Sequence, residues 1–207
     1  MVARYLPLLM ALLLSGVALS GQDAKLVGRW YSDQRTRGGI GGVLELRADG
    51  SAVFSPAAIV EYTYSFDGQK LVLRYTDPVK GRQPDDVVEV LALTPAKLRL
   101  RIGGAAQPAT DWTRTGSAPD GARLLLGNWS APREMNGQKV TQNWRFWDNG
   151  KALFTIPFTT QAGTYQVSGA TMKMRVAGQP PVEGAFSIDG DLLTVPGVTS
   201  PTKYHRY

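Results

Sequence analysis

The chain writes the pattern apolar-apolar-Gly-x-Trp twice. "LVGRWYSD" runs from Leu26 to Asp33 and "LLGNWSAP" from Leu125 to Pro132, which sets Trp30 and Trp129 99 residues apart. Further blocks follow each copy in the same order. "LELRADGSAVF" (Leu44 to Phe54) is matched by "WRFWDNGKALF" (Trp144 to Phe154), and "YSFDGQKLVL" (Tyr64 to Leu73) by "YQVSGATMKM" (Tyr165 to Met174). "VLALTPAKLRL" (Val90 to Leu100) is answered more loosely by "AFSIDGDLLTV" (Ala185 to Val195). Each copy closes on an aromatic residue, a spacer and an arginine: Trp112-Thr113-Arg114 and Tyr204-His205-Arg206. Matched blocks in one order define an internal repeat, with copies over 25–115 and 123–207. Between them, 116–122 is rich in Gly, Ser, Pro and Asp without alternation, the composition of a linker.

Each copy reads as a string of hairpins. Asp49-Gly50, Asp67-Gly68, Asn149-Gly150 and Asp189-Gly190 are two-residue turn signals, because a tight hairpin turn needs positive φ that Asn, Asp and Gly tolerate best. The flanking runs alternate with period two: Tyr62, Tyr64 and Phe66; Leu71, Leu73 and Tyr75; Trp144 and Phe146; Met172, Met174 and Val176. One apolar face per strand means strands that bury one side. The pattern predicts an all-β chain with about seven or eight antiparallel strands per copy. A meander of that length exposes its first and last strands, and closing the sheet into a barrel removes both edges. Closure of each copy on itself would bring Trp30 beside Arg114 and Trp129 beside Arg206. A guanidinium could then stack on each indole, with Gly28 and Gly127 allowing close backbone approach beneath.

Gly-x-Trp at the start and aromatic-x-Arg at the end of an up-and-down meander resemble the signature shared by lipocalins and their calycin relatives. Each copy is most similar to the short bacterial lipocalin-like domains. It lacks the C-terminal helix and the Thr-Asp-Tyr type loop motif of full lipocalins. The resemblance implies two tandem small antiparallel up-and-down β-barrels, and binding in place of catalysis.

Residues 1–20, "MVARYLPLLMALLLSGVALS", carry Arg4, an apolar run from Leu6, and small residues at Ala18 and Ser20. This is the pattern of a secretory signal peptide, and its apolar run is shorter than the roughly 20 residues of a membrane span. A periplasmic or secreted protein is expected, with no transmembrane span in the mature chain. The sequence contains no Cys, which excludes disulfides, thiolate catalysis and Cys-ligated metals. Removing Arg4 leaves 22 Lys plus Arg against 17 acidic residues, a net charge of +5. That balance would draw the chain to anionic surfaces or simply keep it soluble. The basic stretch "KLRLRI" (Lys97 to Ile102) alternates with apolar residues, so it reads as a solvated strand face and no nucleic-acid partner is expected.

No catalytic apparatus converges. The single histidine, His205, lies near the end of the chain. Asp189 and Asp191 around a Gly read as a turn and not a calcium loop, and Asp85-Asp86 as a solvated turn. "RTRGGIGGV" (Arg35 to Val43) lacks the Lys-Ser/Thr ending of a phosphate loop. It reads, like "PREMNGQK" (Pro132 to Lys139), as a loop at a barrel mouth, with Arg35, Arg37, Arg133 and Lys139 supplying positive charge. No metal, no cofactor and no catalytic residue is expected.

The inward apolar positions remain as ligand-binding candidates: Tyr62, Tyr64, Tyr75, Trp144, Phe146, Tyr165, Met172 and Met174. The same positions would serve as plain core in a barrel of about eight strands. The expectation is an exported non-enzymatic protein that buries a small apolar or amphipathic ligand. The alternative is a protein–protein module, an inhibitor of an extracytoplasmic hydrolase or an envelope assembly factor with an envelope protein as partner.

Overall fold

Alternation of apolar and polar residues becomes strand, and Asp-Gly or Asn-Gly becomes turn, along nearly the whole chain. The computed structural model describes residues 21–77, 80–119, 121–135 and 137–207; the segment 1–20, expected to be a signal peptide, lies outside them. A short helix α1 (Gly21–Leu26) leads into β1 (Gly28–Ser32), β2 (Ile40–Leu46), β3 (Ser51–Phe66), β4 (Lys70–Arg74), and the short β5 (Thr76–Asp77) and β6 (Gly81–Arg82). These are followed by β7 (Asp86–Leu93), β8 (Lys97–Ile102) and β9 (Thr110–Thr115). After a 3₁₀ turn at Gly121–Arg123 come β10 (Gly127–Met135), β11 (Gln138–Phe146), β12 (Lys151–Pro157), β13 (Gln161–Ser168) and β14 (Thr171–Val176). The chain ends with β15 (Val182–Ala185), β16 (Ser187–Asp189), β17 (Leu192–Val195) and β18 (Thr202–Arg206).

The four strongest turn signals all join antiparallel neighbours. Their side chains explain three of them: the Asp49 carboxylate accepts from the Ser51 amide, Asp67 from the amides of Gln69 and Lys70, and Asn149 from that of Lys151. Each polar side chain thus satisfies backbone donors that the turn leaves unpaired.

Strands β3, β4 and β7 to β12 form a closed eight-stranded antiparallel barrel, with β12 returning to pair with the second half of β3. The remaining strands form a second array on the first half of β3. One arm runs through β2, β1, β18 and β17 to β16; the other runs through β13 and β14 to β15. Only Phe186 separates β15 from β16, so the chain itself joins the two arms. Each group encloses one apolar core. The barrel packs Leu71, Leu98, Leu100, Trp129 and Phe146. The second array packs Leu26, Trp30, Leu44, Met172 and Leu193.

The closure expected of each copy is therefore corrected. Trp30 pairs in register with Arg206, and Trp129 with Arg114. The barrel takes five strand segments from before the linker and three from after it, so its boundaries are not 25–115 or 123–207. The cause is β3. It runs sixteen residues without a turn, so its two halves lie in different groups of strands. Its odd positions Ala57 and Ile59 bury against Val43, Leu153 and Tyr207 at the seam between them. The linker then has only to join β9 to β10, which are neighbours in the barrel.

Candidate functional site

The two closures are built alike. The Trp129 indole donates to the Leu125 carbonyl at 2.8 Å, and the Arg114 guanidinium sits 4.0 Å from the Trp129 ring centroid. That guanidinium also donates to the carbonyls of Leu124 and Leu126. In the second array the Trp30 indole donates to the Leu26 carbonyl at 2.9 Å, and Arg206 lies 4.1 Å from the Trp30 centroid. Arg206 donates to the carbonyls of Lys25 and Val27. Gly28 and Gly127 carry φ of +145° and +112° beneath these arginines. A planar cation covers the indole face and satisfies the carbonyls of the incoming segment at once.

This closure seals one end of the eight-stranded barrel. Tyr64 and Phe146 lie near it, their rings edge to face at 5.2 Å, and the Tyr64 hydroxyl donates to the Trp147 carbonyl. They are floor. Toward the opposite end the barrel holds a cavity of about 390 Å³, walled by Tyr62, Leu73, Trp112, Trp144 and Phe154. Trp144 organises these walls: its ring lies 4.7 Å from Phe154, 5.4 Å from Tyr62 and 6.5 Å from Trp112. Gln142 is buried against the cavity, while Asp86 and Arg133 stand exposed at its rim.

The polar accounting of the cavity is unusual. Trp112 and Trp144 are 2% and 3% exposed, and neither indole N–H has a hydrogen-bond partner among the described residues. By contrast, the closure tryptophans Trp30 and Trp129 both donate to carbonyls. A buried donor without an acceptor costs about 1–3 kcal/mol. The Tyr62 phenol is pushed up to about 12, chiefly by burial and secondarily by Asp86, so it stays a neutral hydroxyl. The cavity thus offers flat aromatic walls with charge only at the rim, while the two indole N–H groups are buried behind those walls.

The eight binding candidates do not converge on one place. Tyr62 and Trp144 line the cavity, Tyr64 and Phe146 lie in its floor, and Tyr75 stands beside Tyr62 at 5.8 Å and faces a groove outside the barrel. Tyr165, Met172 and Met174 belong to the core of the second array, where Tyr165 donates its hydroxyl to the Arg47 carbonyl. Met174 reaches a crevice of about 340 Å³ that also meets Phe54, Val195 and Tyr204. Trp112 and Phe154 are cavity residues outside the candidate set. Both were within reach of the pattern: Trp112 shares a strand face with Arg114, and Phe154 with Ala152.

Of the charges expected on loops, Arg133 lies instead on β10 and stands at the cavity rim, whereas Arg35 pairs with Glu61. Asp85 pairs with Arg74 and Arg82, and His205 lies 3.4 Å from Asp33. Among the described residues no cluster of three or more His, Asp or Glu could hold a metal ion, and no helix is long and apolar enough to cross a membrane. No protein-family model, curated protein or solved structure matches this chain.

Proposed function

We propose that this is an exported, non-enzymatic binding protein of lipocalin-like design, which buries a small amphipathic molecule in the eight-stranded barrel. In this reading the repeat copies form two barrels by exchanging strands: each arginine closes on the tryptophan that opens the other copy. The observation that carries the binding proposal is the cavity of about 390 Å³ walled by the rings of Tyr62, Trp112, Trp144 and Phe154. A ligand with a flat apolar body would stack on these rings and remove apolar surface from water, its polar end held at the rim. The sealed Trp129 end directs entry from the rim of Asp86 and Arg133.

Titration of the purified protein with a naphthalene sulfonate dye and with decanoate, followed by tryptophan fluorescence, tests the proposal. Saturable binding of either at one molecule per chain, weakened in Trp144→Phe, is expected. Absence of saturable binding to both, with no lipid recovered by solvent extraction of the native protein, would overturn it.

A further inference from the structure

A second concavity has the opposite chemistry. Between the barrel and the second array, outside both cores, lies a crevice of about 590 Å³. Its walls are outward faces: Arg29 of β1, Glu45 of β2 and Arg47 just after it, Ser55 of β3, and Lys139 and Asn143 of β11. Three cations face one carboxylate. That carboxylate is already engaged, because Glu45 accepts from the Arg47 guanidinium at 2.7 Å.

Arg29 stands opposite Glu45 in strand register yet has no ion pair among the described residues. Its guanidinium lies 4.6 Å from the Tyr207 ring centroid, and its Nε is buried with no hydrogen-bond partner. Lys139 likewise has no ion pair among the described residues and is exposed. Ser55 and Asn143 are 6% and 7% exposed, so polar groups are sunk into the wall. Phe158 adds one ring at the side. A partly buried guanidinium without a counter-ion is costly, and an anion in the crevice would offset that cost.

We propose that this crevice binds a small oxyanion carried on a hydroxylated body, an acidic sugar or a sugar phosphate. Arg29 and Lys139 take the anionic group. The sunken Ser55 and Asn143, with the hydroxyls of Thr115 and Ser130 nearby, meet the ligand's hydroxyls. Phe158 offers a ring face to the apolar side of a sugar. The site is separate from the aromatic cavity and stands whether or not that cavity takes a ligand.

Calorimetric titration of the full chain with glucuronate, glucose 6-phosphate and, as the neutral control, glucose tests it. Saturable binding of at least one acidic probe is expected, about tenfold or more tighter than glucose and weakened by added salt. Binding of glucuronate alone identifies a carboxylate ligand; binding of glucose 6-phosphate alone identifies a phosphate ester. Arg29→Gln and the exposed Lys139→Gln should each weaken that binding about tenfold, while Trp144→Phe leaves it unchanged. No binding of either acidic probe, equal binding of glucose, or full affinity in both charge variants would overturn the proposal.

Discussion

Arg206 lies over the indole of Trp30, 4.1 Å from the ring centroid, and donates to the Val27 carbonyl 179 residues away in the chain. Arg114 makes the same arrangement with Trp129. Lysine has neither the plane to stack nor the fork to reach two carbonyls. Arg206→Lys and Arg114→Lys should each destabilise by about 2–3 kcal/mol, from lost charged hydrogen bonds and lost stacking. Chemical denaturation of each variant checks this; a loss no larger than that of an exposed ion pair would show that the stack holds nothing closed.

The glycines under these arginines are constrained by both backbone and space. A Cβ on Gly127 would lie 2.7 Å from an Arg114 Nη, and one on Gly28 would lie 3.0 Å from an Arg206 Nη. Both residues also sit at φ values that side chains rarely adopt. Gly127→Ala should cost about 2–3 kcal/mol and Gly28→Ala somewhat less, because its added methyl meets a looser neighbour. Thermal melts that rank the two in the reverse order would contradict the geometry.

Strand faces and turns are legible in this sequence because each depends on a few adjacent residues. The Asp49, Asp67 and Asn149 turns are set by a side chain bonding its own loop, and Tyr62, Tyr64 and Phe66 alternate to one face. Which edge each strand meets is not local information. Trp30 and Trp129 have the same neighbourhood, so Arg114 and Arg206 are chemically equivalent partners for either. The choice is made by β3, which continues straight through Pro56 and places its two ends in different cores. Pro56 loses no needed bond there: it has no N–H, and its carbonyl accepts from the Phe158 amide at 2.9 Å. The cavity was half legible for a related reason. Inward aromatics are marked by alternation, but whether an inward ring is floor or wall depends on which strands surround it.

Trp129, Trp112 and Trp144 should respond differently to Trp→Phe. In Trp129→Phe the bond to the Leu125 carbonyl is lost and the Arg114 stack weakens, so a loss of about 2–3 kcal/mol is expected. In Trp112→Phe and Trp144→Phe a partnerless buried donor is removed along with some apolar area. Those terms oppose each other, and the ligand-free protein should change by less than about 1.5 kcal/mol. Denaturant midpoints of the three variants measured side by side check the contrast.

Base should unfold this protein through its tyrosines. Tyr31, Tyr62 and Tyr204 are each pushed up to about 12, with burial the largest cause in every case. In the unfolded chain a phenol ionises near 10. Below that pH both states are protonated and the stabilisation from these residues is complete. As pH rises from about 10 toward 12 the unfolded state loses protons that the native state keeps, so stability falls. The melting temperature should decline over that window, and the tyrosinate absorbance of these residues should rise together with the loss of structure.

The strand arrangement itself can be trapped, because the chain contains no Cys to interfere. Thr113 and Ser130 are register partners across β9 and β10, and the Ser130 hydroxyl reaches the Thr113 carbonyl at 3.5 Å. Cross-strand partners have Cα separations of about 4.5–5.5 Å, within the range a disulfide spans. The double variant Thr113→Cys, Ser130→Cys should therefore oxidise to an intramolecular disulfide under mild conditions, seen as a mobility shift on a non-reducing gel. If each copy closed on itself, β9 would lie against β1 and the two thiols would sit in different barrels. In that case the variant would stay reduced, while a Thr113→Cys, Tyr31→Cys pair would cross-link in its place.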